Sequence, residues 1–230
     1  MHDDEPELVD LNLAAAVRPP THMPTVLSTI ADEVASSAVN NRQAECRLAV
    51  LAVLQGLSTL DLTEMGLGAL PDGLGRLEPH VLNLDLSCNA LTALPPVVCS
   101  LGSLVELQLF CNRLTHLPDC ITSLVKLRRL LAVQNNLTAL PAGIGRLVSL
   151  QELDLDENEL TALPTELAHL PHLALVRADS NPLCSPPLEV VRRGIEDLRC
   201  FLRAEASVDE RAGDDAREEV ERSGRNTNSC

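Results

Sequence analysis

The sequence predicts an α/β solenoid, a stack of short, near-identical turns of chain sharing one elongated core. Three observations predict it. The 230 residues are 45% hydrophobic, yet they include no Trp, no Tyr and only two Phe. A compact core normally fills its irregular space with aromatic bulk, so a core made almost wholly of leucine implies one geometry used many times. Second, the spacing L-x-x-L-x-L-x-x-N-x-L-x-x-L-P recurs in register, with units starting at Leu57, Val81, Leu104, Leu127, Leu150 and Leu173, 24 and then 23 residues apart. Third, the asparagine position reads Met65, Asn89, Asn112, Asn135, Asn158 and Asn181, and a Leu-Pro step follows it in the first five units. A fixed period of this length marks a repeat architecture.

Each position has a physical reason. The central L-x-L alternates with period two, which places its leucines on one side of a short strand. Proline then removes a backbone donor and holds the preceding leucine extended, so the strand stops and the chain turns back. Leu74/Leu77, Ile121/Leu124, Ile144/Leu147 and Leu167/Leu170 are spaced as the inward residues of a short helical or 3₁₀ turn. The asparagine sits where the chain leaves the strand; its carboxamide both donates and accepts, so it can satisfy backbone groups of adjacent turns.

Units such as LDLSCNALTALPPVVCSLGS and LDLDENELTALPTELAHLPH resemble the intracellular Ras-group class of leucine-rich repeats, found in Ras-pathway scaffolds and related plant proteins. The stretch from Asn181 to Val191, NPLCSPPLEVV, is similar to the way such arrays end. The resemblance covers about residues 57–203. It implies a leucine-rich-repeat horseshoe with a parallel sheet on the concave face, and a scaffold-type, protein-binding function. Met65 in place of asparagine, and the missing Leu-Pro step in the sixth unit, mark terminal repeats, which commonly deviate.

The ends of a solenoid need covering. Residues 25–56 carry apolar residues at mostly helical spacing and are expected to form an N-terminal helical cap. The array is expected over 57–185, and a C-terminal capping helix over 186–203, N-capped by Ser185 and with Leu188, Val191, Ile195, Leu198 and Leu202 as its apolar stripe. Residues 1–24 and 204–230 are charged and aromatic-free, and are expected to be disordered, acidic termini.

Composition narrows the function. The formal charge is −15, and no basic stripe is present, which argues against nucleic acid and for a protein partner with a basic surface. No run of about 18 apolar residues occurs, so no membrane insertion is expected. The opening Met1–His2–Asp3–Asp4–Glu5 is acidic, wrong for a signal or transit peptide. The expected location is cytoplasmic, with all eight scattered cysteines reduced and the sequon Asn136–Leu137–Thr138 silent. Asp154–Leu155–Asp156–Glu157–Asn158 mimics the opening of a calcium loop, but the glycine and bidentate glutamate that calcium requires are replaced by Glu159 and Thr165. The histidines and cysteines lack paired zinc-site spacing, and no phosphate-cradling or nucleophile-elbow motif is present. No enzyme activity, cofactor or metal is expected.

Strand parity divides the array into buried leucines and outward columns. The first reads Thr59, Asn83, Glu106, Arg129, Glu152 and Leu175; the second Asp61, Asp85, Gln108, Leu131, Asp154 and Arg177. The third reads Thr63, Ser87, Phe110, Val133, Asp156 and Asp179; a fourth adds Glu64, Cys88, Cys111, Gln134, Glu157 and Ser180. Phe110, Leu131 and Val133 fall together in a polar surface, the anatomy of a binding hot spot, and Arg129 beside them is a candidate anchor. The candidate partner-binding set is completed by Gln108, Glu106, Glu152, Asp154, Asp156, Glu157 and Arg177. Cys88 and Cys111 share one outward position on neighbouring strands, within disulfide range, but two small side chains on a strand are the simpler account of them. The expected function is a cytosolic signalling adaptor or scaffold that binds its partner on the concave face. The alternatives are a substrate-recognition subunit of a larger enzyme assembly, such as a ubiquitin ligase or kinase complex, and a purely structural lining element.

Overall fold

The computed structural model describes residues 58–70, 74–75, 78 and 81–208. The expected N-terminal terminus and cap (1–24 and 25–56) and the chain beyond 208 lie outside the described residues.

Six strands, β1 (Thr59–Asp61), β2 (Asn83–Asp85), β3 (Glu106–Gln108), β4 (Arg129–Leu131), β5 (Glu152–Asp154) and β6 (Leu175–Arg177), form one open parallel sheet in chain order. The register follows the repeat: Thr59 pairs with Asn83, Asn83 with Glu106, Glu106 with Arg129, Arg129 with Glu152 and Glu152 with Leu175. In-register pairing is forced because a one-residue slip would send every leucine to solvent. The central residue of each strand, Leu60, Leu84, Leu107, Leu130, Leu153 or Val176, is buried, as is the residue two further on, from Leu62 to Ala178.

Behind the sheet lie the 3₁₀ turns Pro96–Ser100, Asp119–Ser123, Ala142–Arg146 and Thr165–His169. Each is entered from an extended proline, Pro95, Pro118, Pro141 or Pro164, with ψ between 136° and 149°. The Leu-Pro step therefore acts as the sequence predicts: it ends the extended run and starts the return. The inward residues of these turns, Val98/Leu101, Ile121/Leu124, Ile144/Leu147 and Leu167/Leu170, join the strand leucines in one continuous core.

At the C-terminal end the single helix expected over 186–203 is corrected to two. Helix α1 spans Leu188–Arg192 and helix α2 spans 195–208. They are separated at Gly194, whose φ of +109° no β-carbon-bearing residue adopts readily. Ser185 is not an N-cap: Pro187 holds that position without a side-chain cap, while the Ser185 carbonyl accepts from the Leu163 amide and its hydroxyl bonds Glu205. Helix α2 also runs through 204–208, part of the segment expected to be disordered. Val191, Leu198 and Leu202 complete the core, and Arg199 donates to the carbonyls of Leu170 and Leu173 at 2.8 and 3.0 Å. Those carbonyls lie at the junction of the fifth and sixth repeats, at the end of the array.

The expectation of eight reduced thiols is also corrected. Cys99 and Cys120, stacked in consecutive 3₁₀ turns with Cα atoms 5.7 Å apart, form a disulfide. No described helix is long and apolar enough to cross a membrane.

Candidate functional site

The concave surface is held flat by an asparagine ladder. The Oδ1 atoms of Asn89, Asn112, Asn135, Asn158 and Asn181 accept from the amides of Leu67, Leu91, Leu114, Leu137 and Leu160. Their Nδ2 atoms donate to carbonyls of the preceding repeat (Leu62, Leu86, Leu109, Ala132 and Leu155) at 2.8–2.9 Å. Each carboxamide thus uses both halves of its chemistry to tie one repeat to the one before it.

Just before each ladder position, Glu64, Cys88, Cys111, Gln134, Glu157 and Ser180 all have φ between 49° and 59°. This is the left-handed region, uncommon for non-glycine residues. The fourth column is therefore not a continuation of the strands: its side chains leave the sheet at the turn and form one rim of the face. Period-two parity does not predict this. A non-glycine residue directly before the ladder asparagine was the available signal in five of the six units.

The structure brings Phe110, Leu131 and Val133 together. The Leu109 amide donates to the Leu131 carbonyl, and the Cys111 amide to that of Val133, so these residues sit side by side on consecutive strands. All three are half-buried, with part of their apolar surface left exposed. Leu175, at the far end of the face, is 37% exposed.

The charged candidates divide into two groups. Glu106 is only 8% exposed and Asp154 only 7%, which corrects their placement as free outward carboxylates. Glu106 bonds Arg129 and accepts from Gln108 Nε2 at 2.8 Å. Asp154 holds Arg177 Nη1 at 3.0 Å, and Glu152 lies 3.8 Å from the same nitrogen. Long arginines lie across neighbouring strands and cover these acids. Arg129 and Arg177 consequently serve the sheet first, although about half of each side chain stays exposed.

Asp61, Asp85, Glu64, Asp156 and Glu157 form no ion pair among the described residues. The Thr63 hydroxyl and amide hold the Asp61 carboxyl below the usual range. Partial burial, reinforced by Asp154 and Asp179, pushes the Asp156 carboxyl up, although the Asp179 amide and Arg177 oppose it. Glu157 is exposed and accepts from Gln134 Nε2 at 2.8 Å. Arg192 of α1, which strand parity could not place, reaches Asp179 at 2.8 Å. Over the four outward columns and the residues just before them, nine acids face three arginines. Among the described residues no three His, Cys, Asp or Glu side chains are placed to hold a metal ion.

The family described as leucine rich repeat matches residues 79–137, and a second leucine-rich-repeat match covers residues 149–170. No curated protein matches the chain significantly. Among solved structures, the leucine-rich repeat domain of the type III effector XopL is 25% identical, with a TM-score of 0.52, over 69% of this chain and 59% of that one. A TDR receptor is 26% identical, with a TM-score of 0.53, over 60% of this chain and 25% of that one. The functional domain of InlJ from Listeria monocytogenes, 24% identical with a TM-score of 0.50 over 60% and 28% of the two chains, shares the fold. The chain spans less than two thirds of each of these proteins. The repeats are leucine-rich repeats, and the fold they build is a typical protein-interaction module.

Proposed function

We propose that this chain is a non-enzymatic adaptor or scaffold in cytoplasmic signalling, holding a partner protein against its concave face. The observation that carries the reading is the half-buried patch of Phe110, Leu131 and Val133, set on a face where acids outnumber arginines three to one. An apolar centre within a polar rim concentrates binding energy, and the acid excess selects a partner whose rim is basic. Asp156 and Glu157 are the unpaired acids one repeat along from Val133, whereas Glu106 and Asp154 are held by the sheet's own arginines.

The test uses the full chain with Phe110→Ser, Leu131→Gln and Val133→Thr combined. Proteins captured from the native cell by the wild type are compared with those captured by this variant and by a Val125→Ser/Val148→Ser control, which removes exposed valines outside the outward columns. The expected partner is retained by the control, carries a basic surface, and binds the triple variant at least about tenfold more weakly. Charge reversal at Asp156 and Glu157 slows association and flattens its salt dependence. A folded triple variant that binds as tightly as the wild type refutes the concave site.

A further inference from the structure

We infer that Cys88 and Cys111 form a vicinal dithiol site that closes to a disulfide in exchange with a small-molecule disulfide such as oxidised glutathione. Both are free and exposed, and they occupy the same left-handed position in consecutive repeats, with φ of 55° and 49°. The Cys88 amide donates to the Phe110 carbonyl at 2.8 Å and the Cys111 amide to that of Val133 at 3.0 Å, so the two backbones are neighbours across one sheet spacing. That spacing, about 5 Å, lies inside the Cα–Cα window of a disulfide. The same two repeats already carry one such bond on the opposite face, Cys99–Cys120, so their stacking distance suits the linkage. Strands β2 and β3 end at Asp85 and Gln108, three residues before each thiol. The sulfurs also sense one another: residual desolvation and then Cys111, by charge and hydrogen bond, hold the Cys88 thiol up, with Glu64 and Asp85 adding to the effect.

The chemistry balances without a further reactant. One cysteine thiolate attacks a sulfur of oxidised glutathione, breaking its S–S bond and releasing one glutathione thiolate. The second cysteine attacks the resulting mixed disulfide and releases the other. Two protein thiols are oxidised, one glutathione disulfide is reduced, and the two protons leave on two glutathione molecules. The reaction is independent of whatever partner the concave face holds.

The full chain is incubated with oxidised glutathione at about pH 8, trapped with N-ethylmaleimide and digested with trypsin and a glutamate-specific protease. Cleavage after Arg76, Glu106, Arg113 and Lys126 places Cys88 and Cys99 on one fragment, Cys111 on a second and Cys120 on a third. The expected product is a Cys88–Cys111 link with both thiols lost to alkylation, at the same rate in a Cys184→Ser/Cys200→Ser variant. In Cys111→Ser, the mixed glutathione disulfide accumulates on Cys88. Stable glutathione adducts on both cysteines of the wild type, links from either one to Cys184 or Cys200, or full alkylation of both after exposure would each overturn the assignment.

Discussion

Replacing Asn135 with alanine tests whether the ladder, and not only the leucine core, holds the repeats in register. The side chain is 7% exposed. Its Oδ1 accepts from the Leu114 amide at 3.0 Å, and its Nδ2 donates to Leu109 at 2.8 Å and, at longer range, to Ala132 and Val133. Three of the four groups keep another partner after truncation. Leu109 retains Asn112, Ala132 retains Asn158, and Val133 retains the Cys111 amide. The buried Leu114 amide retains none. An orphaned buried donor costs about 1–3 kcal/mol, and the lost bond to Leu109 adds roughly 0.5–1.5 kcal/mol, so the expected destabilisation is about 2–4 kcal/mol. With a urea dependence of about 2 kcal/mol/M, the midpoint falls by about 1–2 M. The transition is followed by far-UV circular dichroism, because the chain has no Trp or Tyr to report by fluorescence. Asn136→Ala is the matched control: its neighbouring carboxamide is exposed and reaches only Glu159 at 3.0 Å, so the expected change is within about 0.5 kcal/mol. Equal shifts for the two variants would refute the ladder argument, since only the loss of Asn135 breaks bonds to the backbone of the neighbouring repeat and leaves a buried amide unpaired.

The rim and the acidic end of the face give two further expectations. Ser180 has φ of 56° and makes no side-chain hydrogen bond in the structure, so Ser180→Gly trades relief of left-handed strain against added unfolded-state entropy and stays within about 0.5 kcal/mol. Ser180→Val, β-branched at the same φ, costs about 1–2 kcal/mol in urea unfolding. Asp156 has its carboxyl raised, first by burial and then by Asp154 and Asp179. A carboxyl raised in the folded state binds protons more tightly there than in the unfolded chain, so its ionised form weakens the fold at neutral pH, and the penalty disappears as pH falls through the raised pKa. Asp156→Asn, which keeps the acceptor for the Asp179 amide, therefore raises the melting temperature at pH 7. Scanning calorimetry at stepped pH should show that gain shrinking toward acid; a gain that grows instead contradicts the sign.

How much of this was legible depends on what each residue answers to. Leu107, Leu130 and Leu153 answer only to the core, and the core has one geometry, so the strand centres and the columns they align followed from spacing, while the parallel order of the strands came from the family resemblance. Proline at Pro118 or Pro141 answers to its own ring, and it marked the start of each return turn. The left-handed rim escaped because side-chain parity says nothing about φ, and residues as different as Glu157 and Cys88 occupy it. The Cys99–Cys120 bond escaped because the two cysteines lie 21 residues apart, two short of the repeat period, so they do not share one repeat position as Cys88 and Cys111 do. The split of the C-terminal helix turned on Gly194, which a period-3.6 stripe passes over without interruption. The reach of Arg129 and Arg177 across strands could not be read from columns that treat each side chain as pointing straight out.

That last miss sharpens the reading of the face. In a repeat array every buried position is dictated by the neighbouring repeat, so the residues free to carry specificity are those the stack does not use. Once the leucines, ladder asparagines, prolines and self-paired charges are set aside, the middle of the concave surface keeps Phe110, Leu131 and Val133, with the unpaired acids Asp156 and Glu157 one repeat further on and Asp61, Glu64 and Asp85 toward the other end. The first three have no internal partner that requires apolar character: Gln108, paired in register with Leu131, shows that a polar residue serves the sheet equally well there. Asp156 is held against its own titration preference beside Asp154 and Asp179, a cost that a cation arriving at that edge would remove. An apolar centre the fold does not need and an acid the fold does not favour, on the same face, are the two features that binding a basic partner explains together.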